Sequence, residues 1–461
     1  MAHRQAGTGV ARPLRSAAVG PAERRRTALA LLPLAVLGVS VGVAAYWAFD
    51  PAIAGDHQAH VDYLAFIRRH HRLPLAEQGF EMYHPPAYYV LSVLVSYVGL
   101  SLTDAARTVA TAAWALEGLL AAVVVARLGG RWVGGAAAAG VVWLLPGQAN
   151  VATRVYPETL VGLGVGLLVL GMVELRRQSR TGYWWLGLGV PLAGLTKFSG
   201  LVALAVVLPL VVWSERARLR RLAAVLAPGL ALMALFYGRN VAHYGTPTPL
   251  NADLFHLDRL GGLYAAYPEG FFTRLSLGRC AAERSFYGSA WKWLWATDCG
   301  VKPPWRDSVD GWLLVVALLT SLVVLVAWLW AARTGRRHGA WAAIALVPLA
   351  LLVAFIAYNV RVPSGSSGLY LLVGIVPVAV ALGGFASRVP MRFDMPVYAA
   401  TLGWAAAMAT ASGAPVYRLP VWASLLFAGV LFTLISRNDR DDERGREPGY
   451  ASGHPGKRRS S

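Results

Sequence analysis

Negative charge is scarce in this chain. Its 461 residues carry 24 Asp and Glu against 43 Lys and Arg, and charged residues of both signs make up only 15%. That is well under the quarter or so typical of soluble domains. Cysteine is scarcer still: Cys280 and Cys299 are the two present, and they allow at most one disulfide. No basic-aromatic array of the kind that grips nucleic acid is found, so the formal net charge of +19 does not point to DNA or RNA. There is also no convincing internal repeat, which weighs against the repeated halves common in transporters.

What the chain has in abundance is apolar sequence. It is 56% hydrophobic with a mean hydropathy of +0.49, and runs near 20 residues long recur along it. A helix needs about that length to cross a hydrocarbon layer roughly 30 Å thick. The fold expected is an all-α polytopic membrane bundle. Lys and Arg then read as topology markers and contacts to anionic membrane lipids.

Residues 1–26 form a basic, polar segment expected to be a disordered cytoplasmic N-terminus. The run TALALLPLAVLGVSVGVAAYW is longer than the roughly 7–15 residues of a signal-peptide core, so it reads as an uncleaved first span. Basic clusters at Arg24–Arg26, Arg127/Arg131, Arg176/Arg177/Arg180, Arg216–Arg221, Arg333/Arg336/Arg337 and Arg388/Arg392 flank the later runs. Placing all of them in the cytoplasm requires an even number of spans between neighbours. The pairing works from Arg127 onward. Between Arg26 and Arg127 lie three runs, and an odd count would expel every later cluster at about 1 kcal/mol per basic residue. The middle run, PAYYVLSVLVSYVGL, is short and follows Pro85-Pro86, so it is expected to lie in the interface. About twelve spans result, with both termini cytoplasmic. The expected divisions are 27–250 as the membrane module with outer loop 48–104, then 251–310 as an extracytoplasmic loop. Residues 311–436 are the C-terminal spans and 437–461 a disordered cytoplasmic tail.

In this topology several titratable groups gather on the outer face. GDHQAHVDY, residues 55–63, follows the first span; Asp56 is either a helix cap or a functional acid. If a helix begins there, His57 and His60 share a face and Asp62 turns away. EMYHPPAYYVL places His84 before a rigid turn, and Tyr88 and Tyr89 suit a membrane interface. Glu158 lies at an outer hairpin tip four residues after Arg154, its structural partner by spacing. Glu117 falls inside a span, where an acid is a functional candidate with an expected partner. Lys197 in LTKFSG either snorkels to the surface or offers a point charge to a phosphate. Arg239 in GRNVAHYG either anchors its span or forks onto a phosphate. Cys280 and Cys299 share the oxidising side and are a candidate disulfide. The aromatics of SFYGSAWKWLWATDCG suit either an interface or sugar stacking. A metal site at Asp56, His57 and His60 has no diagnostic spacing.

Taken in order, GDHQAH, YHPPAYY, RVYPETL, LTKFSG and GRNVAHYG resemble the GT-C membrane glycosyltransferases. The branch they are most similar to contains the protein O-mannosyltransferases and lipid A aminoarabinose transferases. The likeness covers about residues 27–250. It implies transfer of a hexose or pentose from a polyprenyl-phosphate carrier to an acceptor hydroxyl on a glycan, lipid or protein, at the outer face and with inversion. It implies Asp56 as general base, with His57 standing where many relatives carry a second acid. Glu158 matches the family's outer-hairpin acid, and His84 its basic residue before the Pro-rich turn. Lys197 and Arg239 match positions near the lipid phosphate. His60, Tyr88 and Tyr370 complete the candidate substrate-binding set. Leu369-Tyr370 stands where relatives carry Arg-Tyr, so one expected cation is missing. No cofactor and no metal is implied, because the phosphate leaving group is already anionic and needs cations. Ala-, Gly- and Arg-rich composition suggests a bacterial inner (plasma) membrane. The competing readings are a transporter or lipid flippase, and a GT-C-like chain without activity.

Overall fold

The computed structural model describes residues 21–48, 57–249, 306–335, 339–361 and 369–411. Asp56, both cysteines, the aromatic segment 285–300 and the expected last span at 419–436 lie outside the described residues. Every regular element among the described residues is helical. The chain runs through α1 (Pro21–Ala48), α2 (His57–His70), α3 (Ala87–Ser96), α4 (Leu102–Arg127), α5 (Trp132–Leu144), α6 (Pro146–Ala152), α7 (Glu158–Arg176) and α8 (Thr181–Gly194). It continues through α9 (Phe198–Ser214), α10 (Leu219–Tyr244), α11 (Arg306–Gly335), α12 (Gly339–Arg361), α13 (Leu369–Leu372), α14 (Ile375–Ala386) and α15 (Asp394–Ala411).

Eleven of the twelve expected spans therefore coincide with helices. Among the described residues six are long and apolar enough to cross a membrane unaided: α1, α4, α7, α10, α11 and α12. The others are shorter, and a helix of 13 or 14 residues covers only about 20 Å. Proline and glycine cut these runs. Leu145 turns extended, Pro146 opens α6, and the expected hairpin tip before Glu158 contains this short buried helix. The run 369–386 breaks at Val373-Gly374 into α13 and α14. The run 86–100 of the first loop, expected to lie in the interface, contracts to α3, ten residues long.

The first span is part of the bundle: α1 packs on α5, α6 and α15, and Tyr398 Oη donates to Ala30 O at 2.9 Å. Basic clusters meet at one end. Arg127 pairs with Glu174 at 3.1 Å, Arg131 with Asp394 at 2.5 Å, and Arg177 donates to Arg127 O at 2.8 Å. The loops bearing the candidate site residues meet elsewhere. Ala87 N donates to Leu195 O at 2.7 Å, and Ala76 N donates to Tyr244 Oη at 2.8 Å. The parity argument requires this grouping of basic clusters with one another and of site loops with one another.

Helices α5 and α14 touch backbone to backbone through Gly134 and Gly383, as small residues allow in membrane bundles. A Cβ on Gly134 would run into Ser387 Oγ and Gly383 O. Gly134→Ala should therefore cost about 1–3 kcal/mol through overpacking and lower the thermal midpoint in detergent. Among the described residues no atom lies within 4 Å of where a methyl on Gly403 of α15 would stand, so Gly403→Ala should leave the midpoint unchanged or raise it. Equal midpoints for the two variants would contradict the α5–α14 contact.

Candidate functional site

The first loop folds into a small core of its own. Apolar or aromatic residues at 60, 63, 64 and 67 make one face of α2, which packs on α3 and α4 around Tyr63, Leu64, Tyr89 and Ala110. That face carries His57 and His60 inward, at 6% and 2% exposure. Asp62 points out and accepts from Gln58 Nε2 at 2.8 Å, as the helical spacing requires.

His60 is held on three sides. Its Nδ1 lies 2.7 Å from Tyr89 Oη, its ring stacks on His84 at 5.9 Å, and Tyr156 meets it edge-on at 5.8 Å. His84 in turn places Nε2 2.7 Å from Glu81 Oε2. Burial lowers the His60 imidazole to about 3. Burial also holds the Glu81 carboxyl above its ordinary value and His84 well below, the latter helped by the Lys197 charge. Each shift favours an uncharged pair. His57 is lowered too, by burial and then by the charges of Arg107 and Arg154.

Lys197 is the cation of the site. It is the extended N-cap residue between α8 and α9, in a hairpin so tight that a Cβ on Gly200 would meet Ala193 O. Its exposure is 7%, so it does not snorkel. Its ammonium bonds the Glu158 carboxylate, which is itself 2% exposed, and lies 4.8 Å from the centre of the Tyr370 ring. Glu158 thus pairs across the bundle with Lys197. The expected Arg154 pairing does not form because α7 begins only at Glu158, after Pro157. Arg154 sits in the preceding turn, outside the helical register that spacing assumed.

Beside Lys197 lies a cavity of about 180 Å³. Tyr83, His84, Ser199, Tyr358 and Tyr370 give it polar edges, and Val202, Leu351, Ala354 and Phe355 an apolar wall. Among the described residues the buried Ser199 Oγ has no hydrogen-bond partner. It stands in the first turn of α9, where backbone N–H groups and the helix dipole favour an anion.

Three sequence expectations need correction. Tyr88 and Tyr89 are fully buried and do not form an interfacial belt, because α3 lays its tyrosine face on α2 and α4. Tyr88 Oη donates to Ala106 O at 3.1 Å, and Tyr88 is not part of the lining of the Lys197 cavity. Arg239 is half-buried over the Phe236 ring at 5.4 Å and does not line the Lys197 cavity among the described residues. It sits near the first loop instead: Tyr244, five residues on, donates to Glu77. Two residues earlier on α10, Tyr237 meets the α8–α9 tip: its ring lies 6.2 Å from that of Phe198 and its hydroxyl donates to Gly194 O.

The intramembrane acid Glu117 does have its expected partner. Gln148 Nε2, on α6, donates to Glu117 Oε2 at 2.6 Å, and Gly162 leaves room for the carboxyl. Sequence reasoning missed Glu81, Ser199 and Arg107. Arg107 is buried in α4, donates to Thr153 O at 2.7 Å and lies 3.4 Å from the Tyr46 ring centre. An Arg at the start of a span, facing the helix that follows a buried loop, was the available signal.

No protein-family model matches the chain, and no curated protein matches it. Among solved structures it is similar to the Archaeoglobus fulgidus oligosaccharyltransferase tethered with an acceptor peptide containing the NVT sequon. That likeness has a TM-score of 0.47 and 12% identity, over 88% of this chain and 53% of that one. It is also similar to ArnT from Cupriavidus metallidurans bound to undecaprenyl phosphate, with a TM-score of 0.41 and 16% identity, over 86% of this chain and 70% of that one. The chain thus spans about half the length of the oligosaccharyltransferase. The chemistry of the site itself carries the functional argument.

The buried histidines set an acid limit on stability. A neutral imidazole lowered in the fold contributes stability above the unfolded value near 6.5, and that contribution is lost as pH falls toward 3. His60 alone should cost about 1.4 kcal/mol per pH unit below 6.5. Thermal melts between pH 7.5 and 5 should show a shallower acid slope for His60→Gln than for the native protein. Parallel slopes would mean His60 is not held neutral.

Proposed function

We propose that the protein is a membrane glycosyltransferase that takes a sugar from a polyprenyl-phosphate carrier and passes it to an acceptor hydroxyl at the extracytoplasmic face. The observation that carries this reading is the cavity at Lys197. Its lining combines a buried ammonium, a helix N-terminus and a serine hydroxyl without a hydrogen-bond partner among the described residues with the apolar side chains of Val202, Leu351, Ala354 and Phe355. A phosphate attached to an isoprenoid has that same division of character. The motif order that resembles the GT-C enzymes agrees with it.

In this reading Lys197 and the first turn of α9 hold the phosphate. Glu158 fixes the lysine's position and keeps the empty site neutral. Tyr370 and Tyr358 offer hydroxyls near the same group. Val202, Leu351 and Phe355 cover the first isoprene units. Asp56 precedes α2, whose His57 and His60 lead through His84 to the cavity wall. Asp56 acts as general base: it takes the acceptor hydroxyl proton as the oxygen attacks the anomeric carbon, and the phosphate departs with the bonding pair. Such a base contributes about 10²–10⁴-fold. One displacement inverts the anomeric centre.

Transfer of labelled mannose or aminoarabinose from undecaprenyl phosphate, with the protein in a bacterial membrane lipid mixture, tests this. Asp56→Asn should lower kcat by about 10²–10⁴-fold with KM little changed. Lys197→Met alone strands a buried carboxylate at a cost of about 3–5 kcal/mol. The double variant K197M/E158Q keeps the pocket neutral and should raise KM for the donor at least tenfold. Full transfer by both the Asp56→Asn and the K197M/E158Q proteins would refute the assignment.

A further inference from the structure

The far end of the first loop carries a feature that the transfer reaction does not use. Helix α2 runs out into Arg68-Arg69-His70-His71-Arg72, and all five residues are exposed. The negative C-terminus of a helix accounts for a cation or two in its last turn. It does not account for three arginines, and among the described residues none of the three forms an ion pair. The run stands in the loop between α1 and α4, on the face where the positive-inside rule leaves basic residues scarce in the proposed topology.

These cations border a groove of about 310 Å³ between the end of α2 and α3. Ile67, Val90 and Leu94 give it an apolar lining, and His71 and Arg72 a basic one. His71 closes α2 in the left-handed region, with φ of 51°, and its N–H donates to Ile67 O at 2.8 Å. That conformation is uncommon for a residue with a Cβ. Arg68 is fastened to α3: it donates to Ser96 Oγ at 3.2 Å, and its guanidinium lies 5.6 Å from the centre of the Tyr97 ring. Val90, Leu94, Tyr97 and Val98 recur at helical spacing along α3 and its last turn, and the last three are more than half exposed. A helix of ten residues rises only about 15 Å, so α3 cannot cross a hydrocarbon layer. It lays an exposed apolar face beside a row of cations.

We propose that this groove binds an anionic phospholipid of the adjoining leaflet, its phosphate against Arg68, His71 and Arg72 and an acyl chain along Leu94 and Val98. Charge complementarity selects the occupant. A guanidinium forks onto phosphate, and each basic residue beside an anionic headgroup adds an attraction that a zwitterionic headgroup does not give. Free phosphate would leave the apolar face of α3 uncovered. A second copy of the chain seated on the same patch would bring two basic rims together. The site shares no lining residue with the Lys197 cavity and is separate from the transfer reaction. Its lipid joins the end of α2 to α3, the two helices whose packing holds His60 against Tyr89.

Photolabelling of the full-length protein in nonionic detergent tests the site. Phosphatidylglycerol and phosphatidylcholine carry the same diazirine acyl chain, and labelled peptides are read by mass spectrometry. Phosphatidylglycerol should label residues 87–100 about tenfold more than phosphatidylcholine, and millimolar inorganic phosphate should not displace it. R68Q/R69Q/R72Q changes three exposed side chains, with little expected effect on folding, and should abolish the preference. Val98→Glu puts a carboxylate on the apolar face and should lower labelling by both lipids, which keeps the test decisive if the triple variant folds poorly. K197M/E158Q should label α3 as the native protein does, so the result stands apart from that of the donor site. Equal labelling by the two lipids, an unchanged preference in R68Q/R69Q/R72Q, full labelling of Val98→Glu, displacement by inorganic phosphate, or labelling lost in K197M/E158Q overturns the proposal. So does an unlabelled α3 whose face is closed to both lipids by a second copy or by residues 250–305.

Discussion

A lysine buried at the end of a membrane bundle cannot stay charged alone, and most of the site follows from that constraint. Lys197 needs a counter-charge within bonding distance, because an isolated ammonium out of water costs many kcal/mol. Glu158 supplies it from α7. For the two to meet, α7 must begin at Glu158 and the α8–α9 hairpin must turn at residues 195–197. Glycines at 164, 189 and 200 let these helices approach closely enough, since a Cβ on any of them would crowd a neighbouring backbone. The ion pair then sets the position of the first turn of α9, and with it the cavity edge at Ser199.

The same economy of charge governs the first loop. Its imidazoles and the Glu81 carboxyl are buried among tyrosines, and the uncharged forms are the ones burial favours. Neutral titratable groups next to a neutral ion pair leave no isolated charge out of water.

The architecture was readable because membrane spans announce themselves by length and charge. Eleven expected spans are helices, and the parity of basic clusters correctly grouped the ends that share a face. What spacing hid was depth and partner. Gly374 cuts a run that read as continuous, and the hairpin tip that opens at Pro146 folds into the buried α6. Arg154 and Glu158 have helical spacing without a helix between them. Lys197 reads equally well as a snorkelling residue, and only the long-range contact with Glu158 decides otherwise. Tyr88 and Tyr89 are adjacent and chemically identical, yet one bonds a carbonyl of α4 and the other His60. Glu81 drew no notice because an acid in a loop is ordinary until its burial is known.

The central claim is that a lipid phosphate sits against Lys197. A cryo-EM map of the native protein in nanodiscs saturated with undecaprenyl phosphate addresses it most directly. The account predicts phosphate density within hydrogen-bond distance of Lys197 Nζ and Ser199 Oγ, with the isoprenoid leaving along Val202, Leu351 and Phe355. Phosphate density elsewhere on the bundle, with the Lys197 cavity empty, would contradict it.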